Sequence, residues 1–212
     1  MRGLFITLEG PDGSGKSTQI KKLAHYFEEK NVPYVITHEP GGTPISDRIR
    51  SLLLDPAHKE MADETEILLY AASRAQHVKE KIMPALAEGR MVLCDRFVDA
   101  SIAYQGYGLG AAIETVKMIN RFATGGLVPD RTYLIDISPE EGRKRMINRN
   151  SRSGLDRIEQ KQLEYHENVR AGFLQLYKQS EERILLIDGA RPVEDVFQTI
   201  REDVDRLITN FK

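Results

Sequence analysis

Five short apolar runs punctuate this chain, with longer amphipathic stretches between them. The runs are Leu4-Phe5-Ile6-Thr7-Leu8, Tyr34-Val35-Ile36, Met91-Val92-Leu93-Cys94, Tyr133-Leu134-Ile135-Asp136-Ile137 and Ile184-Leu185-Leu186-Ile187. Each is about strand length, and most are rich in β-branched residues. Helical patterns are expected at roughly 16–30, 44–54, 63–88, 98–122, 138–149, 156–181 and 192–209. Ser138-Pro139-Glu140-Glu141 reads as a helix start, with a capping serine, a first-turn proline and acids at the positive end of the helix. Strands that alternate with helices predict an α/β fold, in which a five-stranded parallel sheet is covered by helices on both faces. Ligands of such sheets bind beyond the carboxyl ends of the strands, so chemistry is sought just after each apolar run.

Composition narrows this picture. The 212 residues suit one domain, 1–212, and two full domains would be a tight fit. A net charge of −2, from 30 basic and 32 acidic side chains, gives no global pull toward nucleic acid or a membrane, and neither is expected as a partner. An anion site must then be a local cluster. Cys94 is the single cysteine, so no intrachain disulfide can form, and a cytoplasmic setting is expected. The first apolar run is too short for a signal-peptide core.

That first run leads into Gly10-Pro11-Asp12-Gly13-Ser14-Gly15-Lys16-Ser17, a full G-x-x-x-x-G-K-[ST] pattern between a strand and a helix. Glycines let the backbone curl so that its amides converge on an anion, and the helix N-terminus adds partial positive charge. Lys16 is placed to reach the terminal phosphates of a nucleoside triphosphate, and Ser17 to hold Mg²⁺. The nucleotide-binding segment is expected to include Thr18. After the middle strand, Asp95 is a second Mg²⁺ anchor, direct or through water, and Arg96 offers a planar fork to phosphate oxygens. The alternative there is a helix-capping Asp95 paired with Arg96.

Three further segments look like an acceptor site. Tyr70, Arg74 and His77 fall at i, i+4 and i+7 on one helix face, where Tyr70 offers a ring for stacking and Arg74 offers donors. Ser101, Tyr104 and Gln105 share a second face, followed by a glycine-rich bend at 106–110. The loop His38-Glu39-Pro40-Gly41-Gly42-Thr43-Pro44 feeds a helix that carries Arg48. Residues 143–157 hold Arg143, Lys144, Arg145, Arg149, Arg152 and Arg157 against the single acid Asp156. This stretch reads as an arginine-rich lid that supplies transition-state charge, since the cradle itself contains no arginine. A solvated basic patch or a nucleic-acid contact is the competing reading of it.

Taken together these residues resemble bacterial thymidylate kinases, a nucleoside monophosphate kinase family of P-loop proteins. The likeness rests on 8–17, on Glu39-Pro40-Gly41-Gly42-Thr43, on 69–74, on Asp95-Arg96-Phe97 with Ser101-Ile102-Ala103-Tyr104-Gln105-Gly106, and on Leu155-Asp156-Arg157-Ile158-Glu159. It implies ATP- and Mg²⁺-dependent phosphorylation of thymidylate to thymidine diphosphate in a homodimer. Under the resemblance Asp12 meets the acceptor's 3′-hydroxyl, Tyr70 stacks on thymine and Arg74 contacts the thymine edge. Arg96 and Arg48 grip the acceptor phosphate, and Ser101 and Gln105 read the base. Tyr104 crowds the sugar against a 2′-hydroxyl, and Glu39 belongs to the substrate-binding set. Lys16, Arg96, Arg149 and Arg152 form the catalytic set, and the adenine lies near Arg157 and the loop 188–192. One rival is a kinase for another small acceptor. A GTP switch is another, but the guanine-reading Asn-Lys-x-Asp is absent.

Overall fold

A computed structural model describes residues 2–149 and 154–210, apart from the side chains of Arg149 and Asn210. Five strands form one parallel sheet: β1 (Phe5–Glu9), β2 (Tyr34–His38), β3 (Met91–Asp95), β4 (Arg131–Asp136) and β5 (Ile184–Asp188). Their order across the sheet is β2-β3-β1-β4-β5, so the chain reverses direction about β1. The crevice this reversal opens lies beyond the carboxyl ends of β1 and β3, where ligands of open α/β sheets bind. Leu8 is in register with Asp95, which sets the end of β3 beside the start of the glycine-rich loop.

Alternation along the strands feeds two apolar layers. Leu4, Ile6, Leu8, Leu93, Tyr133 and Ile135 pack with Leu23 and Phe27 of α1 (Lys16–Glu29) and Ile200 and Val204 of α9 (Val193–Asn210). On the opposite face Phe5, Val92 and Cys94 meet Val78, Ile82 and Phe97. Leu134 and Ile184 meet Val169 and Phe173 of α8 (Leu163–Gln179) on that same side. The expected three-layer fold is therefore the observed one.

The remaining helices wall the crevice. α2 (Pro44–Leu54) starts with Thr43, whose side chain accepts from the Ser46 amide at 3.4 Å, and with Pro44 in its first turn. α3 (Asp63–His77) continues through a π-helical turn, Val78–Ile82, into α4 (Met83–Ala87). Pro84 lacks an N–H and crowds the carbonyl four residues back, and the wider turn accommodates it. α5 (Val98–Ser101) runs into a second π-helical stretch, Ile102–Gly108, and then breaks at the glycine-rich bend before α6 (Ile113–Thr124). The expected helix over 98–122 is thus two helices. Helix was also expected from 156, but α8 begins only at Leu163. Asp156 Oδ1 instead accepts from the amides of Ile158 (2.9 Å) and Glu159 (2.8 Å), which folds 156–159 into a separate local turn that ends before α8.

α7 (Pro139–Arg149) starts as read, with Ser138 Oγ accepting from the Glu141 amide at 3.3 Å. Its first turn abuts the glycine-rich loop. A Cβ on Gly142 would lie 2.4 Å from the Asp12 carbonyl oxygen, and one on Gly13 would lie 2.4 Å from the Gly142 carbonyl oxygen. Two backbones approach too closely there for any side chain. Gly142→Ala is therefore expected to push the loop off its position and weaken ATP binding about tenfold or more, at a stability cost of about 1–3 kcal/mol. Calorimetric titration with an ATP analogue and a thermal melt check this.

Candidate active site

The glycine-rich loop leaves β1 at Gly10, whose φ of 136° is open only to glycine, and enters α1 at Lys16. Lys16 is buried and curls over the loop. Its Nζ donates to the carbonyls of Gly10 (3.0 Å) and Pro11 (2.9 Å) and lies 3.4 Å from Ser14 Oγ. Burial, and after it the charge of Arg96, push the Lys16 ammonium down to about 8. Gly13, Ser14, Gly15, Ser17 and Thr18 line a broad cleft with Gly189, Ala190, Arg191 and Pro192 on its far side.

At the other edge of the loop stands Arg96, at φ 70° in the left-handed region. This backbone turns the side chain back across the sheet end. Nη1 donates to the Gly10 carbonyl at 2.9 Å, Nη2 donates to Asp12 Oδ1 at 2.5 Å, and the guanidinium lies 4.8 Å from the centre of the Tyr104 ring. Tyr104 OH donates to the other Asp12 oxygen at 2.8 Å. Burial alone would raise the Asp12 carboxyl, but Arg96, Lys16 and the Tyr104 hydroxyl outweigh it and hold it down to about 2. Asp12 is therefore an anion throughout the working pH range. Glu9, not singled out from the sequence, is fully buried beneath this group. Its Oε1 accepts from the Phe97 amide at 2.7 Å, which pins the turn that carries Arg96. Burial, then the neighbouring Asp99, raise its carboxyl to about 8.

Ser17 Oγ donates to Asp95 Oδ2 at 2.9 Å, so the two expected metal ligands are adjacent. Asp95 does not cap the next helix, whose N-cap position is Phe97. No group of three or more His, Cys, Asp or Glu able to hold a metal occurs among the described residues. A hydroxyl and one carboxylate at a phosphate loop fit Mg²⁺, which keeps several waters and takes its remaining oxygens from substrate phosphates.

A second, smaller cavity adjoins the cleft, and Asp12, Glu39, Arg50 and Arg96 are among the residues that line both. Tyr70, Arg74, Ser101, Tyr104 and Gln105 line it. Arg74 is almost wholly buried. Its Nε donates to Glu39 Oε2 (2.6 Å), Nη1 to Ser101 Oγ (2.8 Å) and Asn120 Oδ1, and Nη2 to the Phe97 carbonyl (2.9 Å). Glu39 also accepts from His77 Nδ1 at 2.9 Å. The three residues expected on one face of α3 do converge, but His77 serves Glu39 and lies behind the cavity wall.

Two expectations need correction. Arg48 is exposed and lies outside the cavity, whereas Arg50 lines it and donates to the Pro40 carbonyl at 2.8 Å. Residues two apart on a helix point in nearly opposite directions, and the phase of α2 turns Arg50 inward. Arg157 does not border the nucleotide cleft. It is buried, and its Nη2 donates to Glu66 Oε2 at 2.7 Å while Nε donates to the Leu53 carbonyl at 2.8 Å. Arg145 borders the cleft instead, donating to the Gly189 carbonyl at 3.1 Å. Of the two lid arginines, Arg152 and the side chain of Arg149 lie outside the described residues.

The loss of the Lys16 proton sets a pH limit. As pH rises through about 8 the free enzyme loses this charge, so kcat/KM for ATP should fall on the alkaline side. Bound phosphates favour the charged ammonium, and the corresponding fall in kcat should lie at higher pH. The fall should persist in Glu9→Gln, where the neighbouring carboxyl can no longer titrate. A flat kcat/KM profile from about pH 7 to about 9.5 would refute the assignment.

Comparison with known proteins agrees with this geometry. The thymidylate kinase family model matches residues 8–200. The thymidylate kinase of Exiguobacterium sibiricum is 53% identical over 204 residues, covering 96% of this chain and 95% of its own. That of Symbiobacterium thermophilum is 48% identical over 205 residues, covering 97% and 94%. The crystal structure of thymidylate kinase from Ehrlichia chaffeensis superposes with a TM-score of 0.76 at 31% identity, covering 97% of this chain and 99% of that one. With a phosphate loop, a paired Ser17 and Asp95, and a second cavity joined to the first at Arg96, the chain belongs to the thymidylate kinase family.

Proposed function

We propose that the chain transfers the γ-phosphoryl group of ATP to thymidylate, with the two nucleotides held end to end across Asp12 and Arg96. The observation that carries this reading is the junction itself. Both side chains line the phosphate-loop cleft and the smaller cavity alike, and a donor and an acceptor phosphate would face each other there. ATP supplies its phosphates to the loop, and its adenine is assigned to the region of Arg145 and the loop 189–193. Thymidylate is assigned to the cavity, with Tyr70 on the base and Arg50 and Arg96 on the phosphate. Ser17 and Asp95 would hold Mg²⁺, and the chemistry it would supply is neutralisation of donor phosphate charge.

No general base is needed. The second pKa of a phosphate monoester is about 6, so the attacking oxygen is already free of its proton at neutral pH. What remains is alignment and charge. Lys16 meets the transferring group from the loop, and Arg96 draws the acceptor phosphate toward it. Asp12 holds Arg96 in place through one oxygen and Tyr104 through the other. It is also offered to the sugar 3′-hydroxyl, while the Tyr104 ring restricts the space on the 2′ side.

An apolar surface supports a homodimer. Ile45 and Leu52 of α2, Leu68 of α3, and Met118 and Phe122 of α6 are exposed, with Phe122 90% so, and these three helices are neighbours. A patch of this kind on adjacent helices fits an isologous interface with a second copy. No helix among the described residues is long and apolar enough to cross a membrane. The buried free thiol of Cys94 suits a reducing cytoplasm.

A coupled ADP-release assay tests the activity. Release should require thymidylate and be strongly reduced with uridylate. Lys16→Ala and Arg96→Ala should each lower kcat by about 10²–10³-fold with the fold intact by circular dichroism. Near-normal turnover in either variant would refute its role. For the dimer, sedimentation should give twice the chain mass for the wild type and the single mass for Phe122→Glu. A monomeric wild type would rule the interface out.

A further inference from the structure

We propose that Glu66 is a positioning residue for base selection, fixing which end of the Gln105 amide faces the acceptor. Glu66 lies in the first turn of α3, 1% exposed, and makes two bonds. Its Oε2 accepts from Arg157 Nη2 at 2.7 Å and its Oε1 accepts from Gln105 Nε2 at 3.0 Å. A carboxylate paired with an arginine has no proton to give, so the Gln105 amide must present its NH₂ group to Glu66. The Gln105 carbonyl oxygen is what remains. It is buried and has no hydrogen-bond partner among the described residues, on a residue that lines the acceptor cavity.

A buried acceptor without a partner is costly and favours a ligand that brings it a donor. Thymine presents an imide N–H flanked by two carbonyls. Cytosine presents a bare ring nitrogen at the same place, which would meet Gln105 Oε1 lone pair to lone pair. The Glu66 charge thus selects imide bases against 4-amino pyrimidines without touching either. Arg157 sets Glu66 in turn. It adjoins Asp156, which lines the cavity, and its Nε is anchored to the Leu53 carbonyl. This inference rests on the reading that the acceptor base sits beside Gln105.

Glu66→Gln tests the relay at constant shape. Arg157 needs an acceptor and would take the oxygen of the amide introduced at position 66, so the new NH₂ would face Gln105. The Gln105 amide must then turn its oxygen toward that NH₂ and its own NH₂ toward the cavity. The ratio of kcat/KM for thymidylate over deoxycytidylate should fall by about 10- to 100-fold, chiefly through KM for thymidylate. A purely structural role would lower both substrates together and leave the ratio alone. A ratio within about twofold of the wild type would overturn the proposal. The exchange Glu66→Gln with Gln105→Glu conserves charge and returns an acceptor to the cavity, so the ratio should recover. Failure to recover overturns the relay. So does loss of folding in both variants, since the exchange keeps the charge and donor count of the pair. Gln105→Met separates the underlying reading. If it leaves KM for thymidylate unchanged, the base is not seated there. If it raises KM while Glu66→Gln leaves the ratio alone, only the role of Glu66 fails.

Discussion

The bond from Arg96 to Asp12 is the constraint on which the site turns. It ties the residue after β3 to the loop after β1, and Arg96 reaches it only by taking a left-handed backbone at φ 70°. That conformation is unfavourable for a side chain with a Cβ, and the surroundings over-determine it. The Arg96 amide donates to the Leu8 carbonyl, its guanidinium donates to the Gly10 carbonyl, and Glu9 holds the next amide along. These strand-end contacts together fix one cation at the joint between the phosphate-loop cleft and the smaller cavity. A flexible arginine would have to be ordered during each turnover, whereas here the ordering is built in during folding.

Most of what can be read from the sequence is local. The phosphate loop, Asp95 and the Ser138 cap each depend on residues a few positions apart. The five apolar runs likewise report strands directly, because a buried parallel sheet needs continuous apolar stretches. What cannot be read depends on distance or on phase. Arg157 looks like part of a basic lid until its partner Glu66 is found, and the two are far apart in the chain. The choice between Arg48 and Arg50 is a matter of helix phase, and the exposed apolar residues of α2 blur its amphipathic pattern. Glu9 and Glu66 escape a sequence reading because a single carboxylate beside apolar residues carries no motif. A polar residue interrupting a strand that feeds a phosphate loop is the available signal for Glu9.

The acceptor wall is unusually ionic for a buried surface. Arg74, Glu39, Glu66 and Arg157 are all nearly inaccessible, and each is paired. Such pairs gain little net stability, because desolvation offsets most of their attraction. Their retention is better explained by direction. Arg74 makes four hydrogen bonds, which leaves its remaining N–H direction fixed rather than free to search. A neutral wall of the same volume would pack as well but would not hold donors at set angles.

This division of labour also explains why the two halves of the site differ in character. The ATP side is built from backbone amides and a lysine on a glycine-rich turn, and it recognises phosphate by charge and curvature. Curvature of that kind is encoded within one short run of consecutive residues, although the close backbone approach of Gly142 also bears on where the loop sits. The proposed acceptor side would have to recognise a base edge, which requires particular donors and acceptors at particular angles. Angles are set by partners of partners, as Glu39 and Asn120 do for Arg74 and as Glu66 does for Gln105. If the base is seated as proposed, its selection rests on buried residues at one remove from the ligand, whereas phosphoryl transfer rests on the loop.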